Sequence, residues 1–316
     1  MLRRALLLVV ALALVGALAF YILTMPVTIP ASALPDLVPD IANGKTMFIA
    51  GGCAECHAVP LKGCDDLDIE DETQLAGGRC LHTDVGTFYV PNISPDKETG
   101  IGAWSTLDFV NAMKRGVAPG GMHLYPAFPY TSYQRMSFAD IIDLKAYLDT
   151  LPSVRSRVSE DDLRFPYNIR RGVGLFQRLY VNGKTFTPNP KASPDVNRGA
   201  YLVFGPGHCG ECHSPRNAIG GVIESQAFAG ARNPDGKGTI PNITPSDQGI
   251  GDWSQADITY FLETGSTPDF DVVGDSMVPV QENMARLTGS DRDAIAAFLK
   301  ALPPRPNAMN KKVTKK

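Results

Sequence analysis

The feature that most constrains this chain is a short motif that occurs twice. Cys53, Cys56 and His57 form a Cys-x-x-Cys-His motif, and the same motif recurs at 209–213. The surrounding sequence recurs with it: YVPNISPDKETGIGAW (89–104) is matched by TIPNITPSDQGIGDW (239–253), and MSFADIIDLKAYLDTLP (136–152) by LTGSDRDAIAAFLKALP (287–303). Self-similarity at a fixed offset is the signature of a repeated structural unit. The sequence therefore predicts a tandem duplication with one motif in each copy.

A Cys-x-x-Cys-His motif is typical of covalent haem c attachment. The two thiols lie on one side of a helical turn and add to the vinyl groups of haem, and the adjacent histidine binds the iron. A thiol redox pair needs no following histidine, and a zinc site needs four ligands, which the two motifs would have to supply together. The sequence therefore predicts two haem c groups. The predicted attachment residues are Cys53, Cys56, Cys209 and Cys212, and the predicted proximal ligands are His57 and His213.

In the second copy, the distal ligand is predicted to be a methionine. A thioether at this position raises the reduction potential of a c-type haem. The loop before the last predicted helix contains Met277 and Met284. We predict Met277, which lies in a Gly-Asp-Ser-Met turn, because Met284 is closer to the helix and is typical of core packing.

The first copy has no methionine at the aligned position, where Pro126 stands opposite Met277. Met136, directly before a predicted helix, is the preferred distal ligand. Met122 and His123 are the alternatives. A histidine would lower the reduction potential of the first haem, and an open position would permit ligand chemistry there.

Further contacts to the haem groups are predicted from the repeated loops. The only tryptophans, Trp104 and Trp253, occupy equivalent positions, and a buried indole N–H needs a hydrogen-bond acceptor such as a haem propionate. Asn92 and Asn242 occupy equivalent positions in the repeated Pro-Asn-Ile segments and are predicted contacts as well.

The N-terminal segment predicts an exported chain. Arg3 and Arg4 precede an apolar run from Ala5 to Met25 that is long enough to span a bilayer, so the rest of the chain should face the outside. A cleaved signal peptide is the alternative, because Ala17-Leu18-Ala19 resembles a cleavage site. The run continues past that site, which favours an uncleaved anchor. The prediction is a bacterial inner-membrane protein with its globular part in the periplasm.

Six cysteines leave two after the haem motifs are counted, Cys64 and Cys80. An oxidising compartment favours a disulfide between them. The formal net charge is −3, which provides no basic field of the kind that attracts nucleic acid.

The fold class predicted is all-α, with two tandem cytochrome c domains after an N-terminal transmembrane helix. Helices are predicted at 106–117 and 255–266 from apolar spacing, and closing helices at 140–151 and 291–302, with Ser137 and Ser290 as N-caps. The Pro-rich spacer should be extended and lift the first domain off the membrane. The predicted segments are the anchor (1–25), the spacer (26–40), domain 1 (41–152), a linker that packs (153–190), domain 2 (191–305) and a basic tail (306–316).

Taken together, these segments resemble the membrane-anchored dihaem cytochrome c family, whose members serve periplasmic alcohol, gluconate and aldehyde dehydrogenases. The resemblance covers roughly residues 41–305 and is carried by GGCAECH, GTFYVPNISPDKETGIGAWS, HLYPAFPYTSY, HCGECHSPRN and IPNITPSDQGIGDWS. Several members have Pro-Ala-Met-Pro-Tyr where this chain has PAFPY, so Phe128 replaces a methionine that looks like the distal ligand there. The resemblance leaves Met136 as the nearest substitute. The larger members carry three haem motifs.

The predicted function is electron transfer from a periplasmic dehydrogenase to a soluble cytochrome or a terminal oxidase, without turnover of a substrate by this chain alone. One alternative is a dihaem enzyme, a peroxidase or a thiosulfate-oxidising cytochrome, with an open site at the first haem near His123 and Glu55. Another is a scaffold subunit that tethers a dehydrogenase. The sequence contains no Gly-x-Gly-x-x-Gly dinucleotide fingerprint.

Overall fold

A computed structural model describes residues 1–233, 238–274 and 276–310, and its regular structure is mostly helical. The helices in this part of the chain are α1 (Leu2–Leu23), α2 (Ile41–Ala50), α3 (Cys53–His57), α4 (Thr106–Arg115), α5 (Tyr130–Tyr133), α6 (Phe138–Leu148), α7 (Val173–Tyr180), α8 (Pro194–Phe204), α9 (Cys209–His213), α10 (Gln255–Thr264), α11 (Met277–Ala285) and α12 (Gly289–Ala301). The strands are β1 (Cys80–Thr83), β2 (Gly86–Tyr89), β3 (Val117–Ala118), β4 (Met122–His123), β5 (Asp162–Leu163), β6 (Ala231–Arg232) and β7 (Thr239–Ile240).

Both copies have the same helical framework. The first long helix of each copy packs against its last helix, α2 against α6 and α8 against α12. A glycine permits each close crossing. A Cβ atom on Gly44 would lie 2.1 Å from Asp143 O, and one on Gly199 would lie 1.9 Å from Ala294 O. The framework of the duplication therefore depends on two equivalent positions that accept no side chain.

The N-termini of the closing helices, α6 and α12, were predicted to be capped by Ser137 and Ser290. Ser137 caps α6, since its hydroxyl accepts a hydrogen bond from Asp140 N at 3.0 Å. The prediction of Ser290 as a cap is wrong. Thr288 caps α12 instead, because its hydroxyl accepts from Asp291 N at 3.1 Å. A capping side chain bonds the backbone N–H two or three residues later, and only Thr288 is at that distance from Asp291.

The structure also contains short β-strands, which the all-α prediction did not include. Strands β1 and β2 pair as an antiparallel hairpin, and β5 joins the outer side of β2. A disulfide joins Cys64 to Cys80 at the start of β1, as expected. Strands β6 and β7 form a shorter antiparallel pair at the equivalent place in the second copy, and in the first copy β5 connects the hairpin to the segment after the closing helix.

Helix α1 is long and apolar enough to cross a membrane, and none of its residues is buried, although a signal sequence would have the same character. The Pro-rich spacer that follows differs from the prediction, because it does not hold the first copy away from α1. Ile29 is buried, and its N–H donates to Asn111 Oδ1 at 2.6 Å. Pro26 lies against Gly121. The spacer therefore lies along the first copy, because a backbone donor and an apolar side chain gain partners there.

Residues 153–190 pack against the first copy, as the aromatic and apolar side chains in this segment predicted. Gln177 is buried and donates to Gly116 O at 2.7 Å. Further along, Phe186 N donates to Arg135 O at 2.8 Å. Most of the buried apolar side chains of the two copies belong to one continuous core.

Candidate haem-attachment sites

Each Cys-x-x-Cys-His motif forms a single helical turn, α3 in the first copy and α9 in the second. The residue before each turn has a left-handed backbone: φ is 56° at Gly52 and 37° at His208. Glycine adopts this conformation freely, whereas a histidine is strained there. Contacts with the first copy hold His208 in place, because its ring packs edge-on against Tyr133 at 5.6 Å and its Nε2 lies 3.3 Å from Gly51 O.

The four motif cysteines are free thiols. Three are half-buried and Cys212 is exposed, yet the surrounding protein raises the pKa of all four. Loss of solvation raises the pKa of Cys53 and of Cys209 to about 12, and that of Cys56 to about 11. Reactive cysteine pairs in redox proteins have lowered pKa values, so these cysteines are unlike such a pair.

The two motif histidines are oriented by equivalent hydrogen bonds. Nδ1 of His57 lies 2.8 Å from Pro91 O, and Nδ1 of His213 lies 2.8 Å from Pro241 O. A carbonyl oxygen only accepts, so Nδ1 carries the proton in both rings and Nε2 is left as a free ligand atom. Burial lowers the pKa of His57 to about 4 and lowers that of His213 as well. Both rings are therefore neutral imidazoles, the form that binds a metal.

The repeated asparagines support the loops that hold these histidines. Asn92 is buried, and its Nδ2 donates to Val154 O at 2.7 Å. Asn242 is also buried, and its Nδ2 donates to Arg305 O at 2.9 Å. Each asparagine thus ties its Pro-Asn-Ile loop to the segment that follows the last helix of its copy. This link was not anticipated, and contact between these amides and haem stays a prediction.

The two tryptophans are half-buried at equivalent positions, and Trp253 packs against Phe261 at 5.4 Å. Neither indole N–H of Trp104 or Trp253 donates to a protein atom within the described ranges. Both donors therefore remain free for an acceptor outside the protein, which suits the predicted contact with a haem propionate.

The three candidates for the distal ligand in the first copy have different environments. Met136 is buried, with its carbonyl accepting from Lys114 Nζ at 2.8 Å. Met122 is 47% exposed on β4. His123 is buried, but its Nδ1 lies 2.6 Å from Gln177 Oε1 and its Nε2 lies 2.8 Å from Thr24 O. His123 therefore has no free ring nitrogen, and Met136 is the one buried thioether among the three, so it stays the predicted ligand.

In the second copy the two methionines of the loop occupy different environments. Met277 is half-buried at the first position of α11. Met284 is buried on the inner side of the same helix and belongs to the core. Met284 is therefore a packing residue, and Met277 as the distal ligand stays a prediction.

The two copies meet at their haem motifs, and each motif contacts the distal loop of the other copy. Glu55 of α3 accepts a hydrogen bond from Asn283 Nδ2 of α11. Glu211 of α9 accepts from Thr131 Oγ1 at 2.6 Å and from Ser132 Oγ at 2.7 Å. The contacts are reciprocal, which gives the molecule an approximate two-fold arrangement around its motifs.

The two glutamates differ in pKa. Burial raises the pKa of Glu55 to about 7, because the Asn283 amide and the more distant Arg79 charge only partly offset lost solvation. Burial also opposes ionisation of Glu211, but Arg216 at 2.5 Å and the two hydroxyl donors outweigh it and lower its pKa. The sequence patterns did not predict that these two glutamates join the copies. One clue was available, because glutamate occupies the same position in CAECH and in CGECH.

Comparison with known proteins agrees with this geometry. A family model described as Cytochrome c matches residues 41–152. A protein named diheme cytochrome c-type from Cereibacter sphaeroides is 44% identical over 301 residues, which cover 95% of this chain and 99% of that protein. The fructose dehydrogenase cytochrome subunit of Gluconobacter japonicus and the gluconate 2-dehydrogenase cytochrome c subunit of Pantoea cypripedii are each 34% identical, over 84% and 83% of this chain.

This chain spans little more than half the length of these two subunits, 53% of the first and 59% of the second. The Cereibacter sphaeroides relative is matched over nearly its whole length. That match, the cytochrome c family domain and the two motifs, each with a histidine whose Nδ1 is held by a carbonyl so that Nε2 is left as a ligand atom, lead to one conclusion. The chain belongs to the dihaem c-type cytochromes and carries covalently bound haem c.

Proposed function

We propose that this protein is an electron-transfer subunit that accepts electrons from a periplasmic dehydrogenase and delivers them to the respiratory chain, through a soluble cytochrome or a terminal oxidase. Two relatives are cytochrome subunits of a fructose dehydrogenase and a gluconate dehydrogenase, which supports a dehydrogenase as donor. In this proposal both copies are cytochrome c domains, and the protein performs no substrate chemistry alone.

Each copy provides its own set of residues for one haem. Covalently bound haem c supplies one-electron redox chemistry. In the first copy, Cys53 and Cys56 would hold the macrocycle, with His57 and Met136 on the iron. In the second copy, Cys209, Cys212, His213 and Met277 have these roles. The carbonyls of Pro91 and Pro241 fix the imidazole tautomer in both.

The observation that carries the proposal is the contact between the two motifs. Gly51, just before the first motif, lies next to Pro206, just before the second: a Cβ atom on Gly51 would be 3.6 Å from Pro206 O. Tyr133 Oη donates to Gly51 O at 3.4 Å. The two attachment sites are thus neighbours across a packed contact rather than ends of a flexible pair. This arrangement suits passage of an electron within one chain.

The anchor part of the proposal rests on the end of α1. Helix α1 continues without a break through Ala17-Leu18-Ala19 to Leu23, and Thr24 directly after it is buried. Thr24 O lies 2.8 Å from His123 Nε2. These contacts lie after Ala19 and would persist if the chain were cleaved there. The support for an uncleaved anchor in the inner membrane, with both copies in the periplasm, is therefore the unbroken apolar helix that continues past that site.

The enzyme alternative loses support from three observations. His123, the predicted acid–base group, has both ring nitrogens engaged with Gln177 and Thr24. Cys64 and Cys80, the only thiols available for a thiosulfate-type ligand, form a disulfide. Glu55 belongs to the proximal motif and faces the second copy through Asn283.

The test is an absorption spectrum of the purified chain from the visible to the near-infrared, together with a haem count. We expect two low-spin haems per chain and a methionine-to-iron charge-transfer band of two-haem intensity. Met136→Ala and Met277→Ala should each remove half of that band, whereas Met122→Ala, at an exposed position, should leave it unchanged. A high-spin fraction in the wild type, together with reaction with peroxide, would contradict the proposal.

A further inference from the structure

The last turn of α1 is held by residues 164–180, which we call the foot segment. Arg171 Nη2 donates to Tyr21 O at 3.0 Å, and Arg178 Nε donates to Leu23 O at 2.8 Å. The Arg171 guanidinium also lies 4.3 Å from the centre of the Tyr21 ring. The final carbonyls of a helix lack partners within the helix, and cations are favourable at that end. The foot segment therefore lies at the level where α1 ends.

The foot segment leaves large apolar side chains in contact with solvent. Leu175 and Leu179 lie four residues apart on one face of α7 and are 40% and 67% exposed. In the preceding loop, Phe165 is 78% exposed, and Tyr167 and Ile169 are about half exposed. An exposed apolar patch of this kind marks an interaction surface in a folded protein.

The charge of the foot segment has one sign. Its sequence, RFPYNIRRGVGLFQRLY, contains arginines and no aspartate or glutamate. Arg170 is paired with Asp161 at 3.1 Å. Arg164 and Arg178 are exposed and have no acidic partner within the described part of the chain. Apolar side chains flanked by arginines are the composition of segments that lie in the headgroup region of anionic bilayers.

We propose that the foot segment binds the bilayer surface directly, with Leu175, Leu179 and Phe165 inserted among the lipids and Arg164 and Arg178 at the phosphates. This inference rests on the anchoring part of the proposed function. The occupant is lipid rather than a protein partner, because the segment contacts the end of a helix whose residues are all exposed and that would be surrounded by lipid. The copies then sit on the membrane in a fixed orientation instead of swinging on a spacer.

The experiment uses the full chain in nanodiscs of phosphatidylcholine and phosphatidylglycerol. A spin label is attached at Leu179→Cys or, on the same face, Leu175→Cys, since every native cysteine is committed to haem or to the disulfide. We expect these labels to be more accessible to oxygen than to a water-soluble nickel complex. A label at Phe270→Cys, a 96% exposed aromatic position between α10 and α11, should show the opposite order. Full haem content verifies that each variant is folded.

Two controls separate the possible failures. Loss of the chain from membranes on washing with alkaline carbonate would contradict the anchor in the proposed function. Retention of the chain with water-like accessibility at positions 175 and 179 would overturn the foot segment alone, as would lipid-like accessibility at Phe270. In discs of phosphatidylcholine only, the oxygen preference at position 179 should fall. An unchanged preference would overturn the role of the arginines.

Discussion

Glu55 and Glu211 occupy the same place in two copies of one motif, and their environments have opposite effects on their charge. Both are largely buried at the contact between the copies. Glu211 faces a guanidinium and two hydroxyl donors, and its pKa is lowered. Glu55 has one amide donor on its carboxylate, while Arg79 donates to its backbone carbonyl instead, and its pKa rises to about 7. Duplication has preserved the residue and changed its partners.

This difference shows that the repeated motif does not determine the charge of its own glutamate, which depends on residues outside the motif. A buried carboxylate keeps its charge only where donors and a cation replace the lost water. Arg216 lies three residues after the second motif, and the first copy has Pro60 at the matching position. The two sites therefore share ligand types but differ in the charge next to them, which is one means of giving two haems different reduction potentials.

The strongest test of the comparison removes the attachment residues one copy at a time. Cys53→Ser should abolish full haem attachment in the first copy and Cys209→Ser in the second, because each copy supplies its own thiols. Mass spectrometry of the intact chain should show one haem fewer in the main product of each variant. Two haems at full yield in either variant would contradict the assignment of that motif.

The next largest effect is expected from Arg216→Leu. Glu211 would then be a buried carboxylate without its cation, which should lower the free energy of unfolding at pH 7 by about 1–3 kcal/mol. Because the folded pKa of Glu211 is depressed, its stabilising contribution is present above its ordinary value of 4.5 and is lost as the pH falls. The deficit should therefore shrink at acidic pH. Denaturant unfolding measures it, with Arg232→Leu on the exposed side of β6 as a matched control.

Glu55→Gln should act in the opposite sense. A folded-state pKa of about 7 means that the stability contributed by Glu55 is complete below 4.5 and is lost as the pH rises towards 7. The neutral amide should therefore raise the free energy of unfolding at pH 8 by about 2 kcal/mol and change little near pH 4. Glu211→Gln should be destabilising at pH 8. If the free energies of unfolding of the two variants changed with pH in the same direction and to the same extent, the proposed difference between Glu55 and Glu211 would be refuted.

The smallest effect is expected where the copies meet at the surface. Arg286 donates to Glu72 through Nη1 at 2.6 Å and Nη2 at 2.9 Å, and both side chains are more than one third exposed. Arg286→Ala should lower the free energy of unfolding by about 0.5 kcal/mol, since exposed ion pairs contribute little. The deficit should disappear in high salt. A loss as large as that of Arg216→Leu would mean that this pair is shielded from solvent.

Local signals made much of the fold predictable. The pairing of Cys64 with Cys80, the helices predicted at 106–117 and 255–266, and the cap at Ser137 all depend on residues close in sequence or on residue count. The error at Ser290 is of the same kind, because two hydroxyl residues precede Asp291 and only geometry selects Thr288.

Contacts between distant segments were not predictable. Glu55 and Asn283 are separated by 228 positions, and Ile29 and its partner Asn111 by 82. No pattern in a single sequence relates such pairs, because their contact depends on how the helices pack. Contacts of this type hold the spacer against the first copy and engage both ring nitrogens of His123. They also determine the different environments of the two glutamates.

The reciprocal contact between the copies has a consequence for the origin of the chain. Ser132 of the first copy contacts the second motif, and Asn283 of the second copy contacts the first motif. Reciprocity of this kind is the geometry of an isologous interface, in which one patch pairs with another copy of itself. A single-copy ancestor would have formed a homodimer through the same surface, so gene fusion would have kept an existing assembly and freed its two halves to diverge.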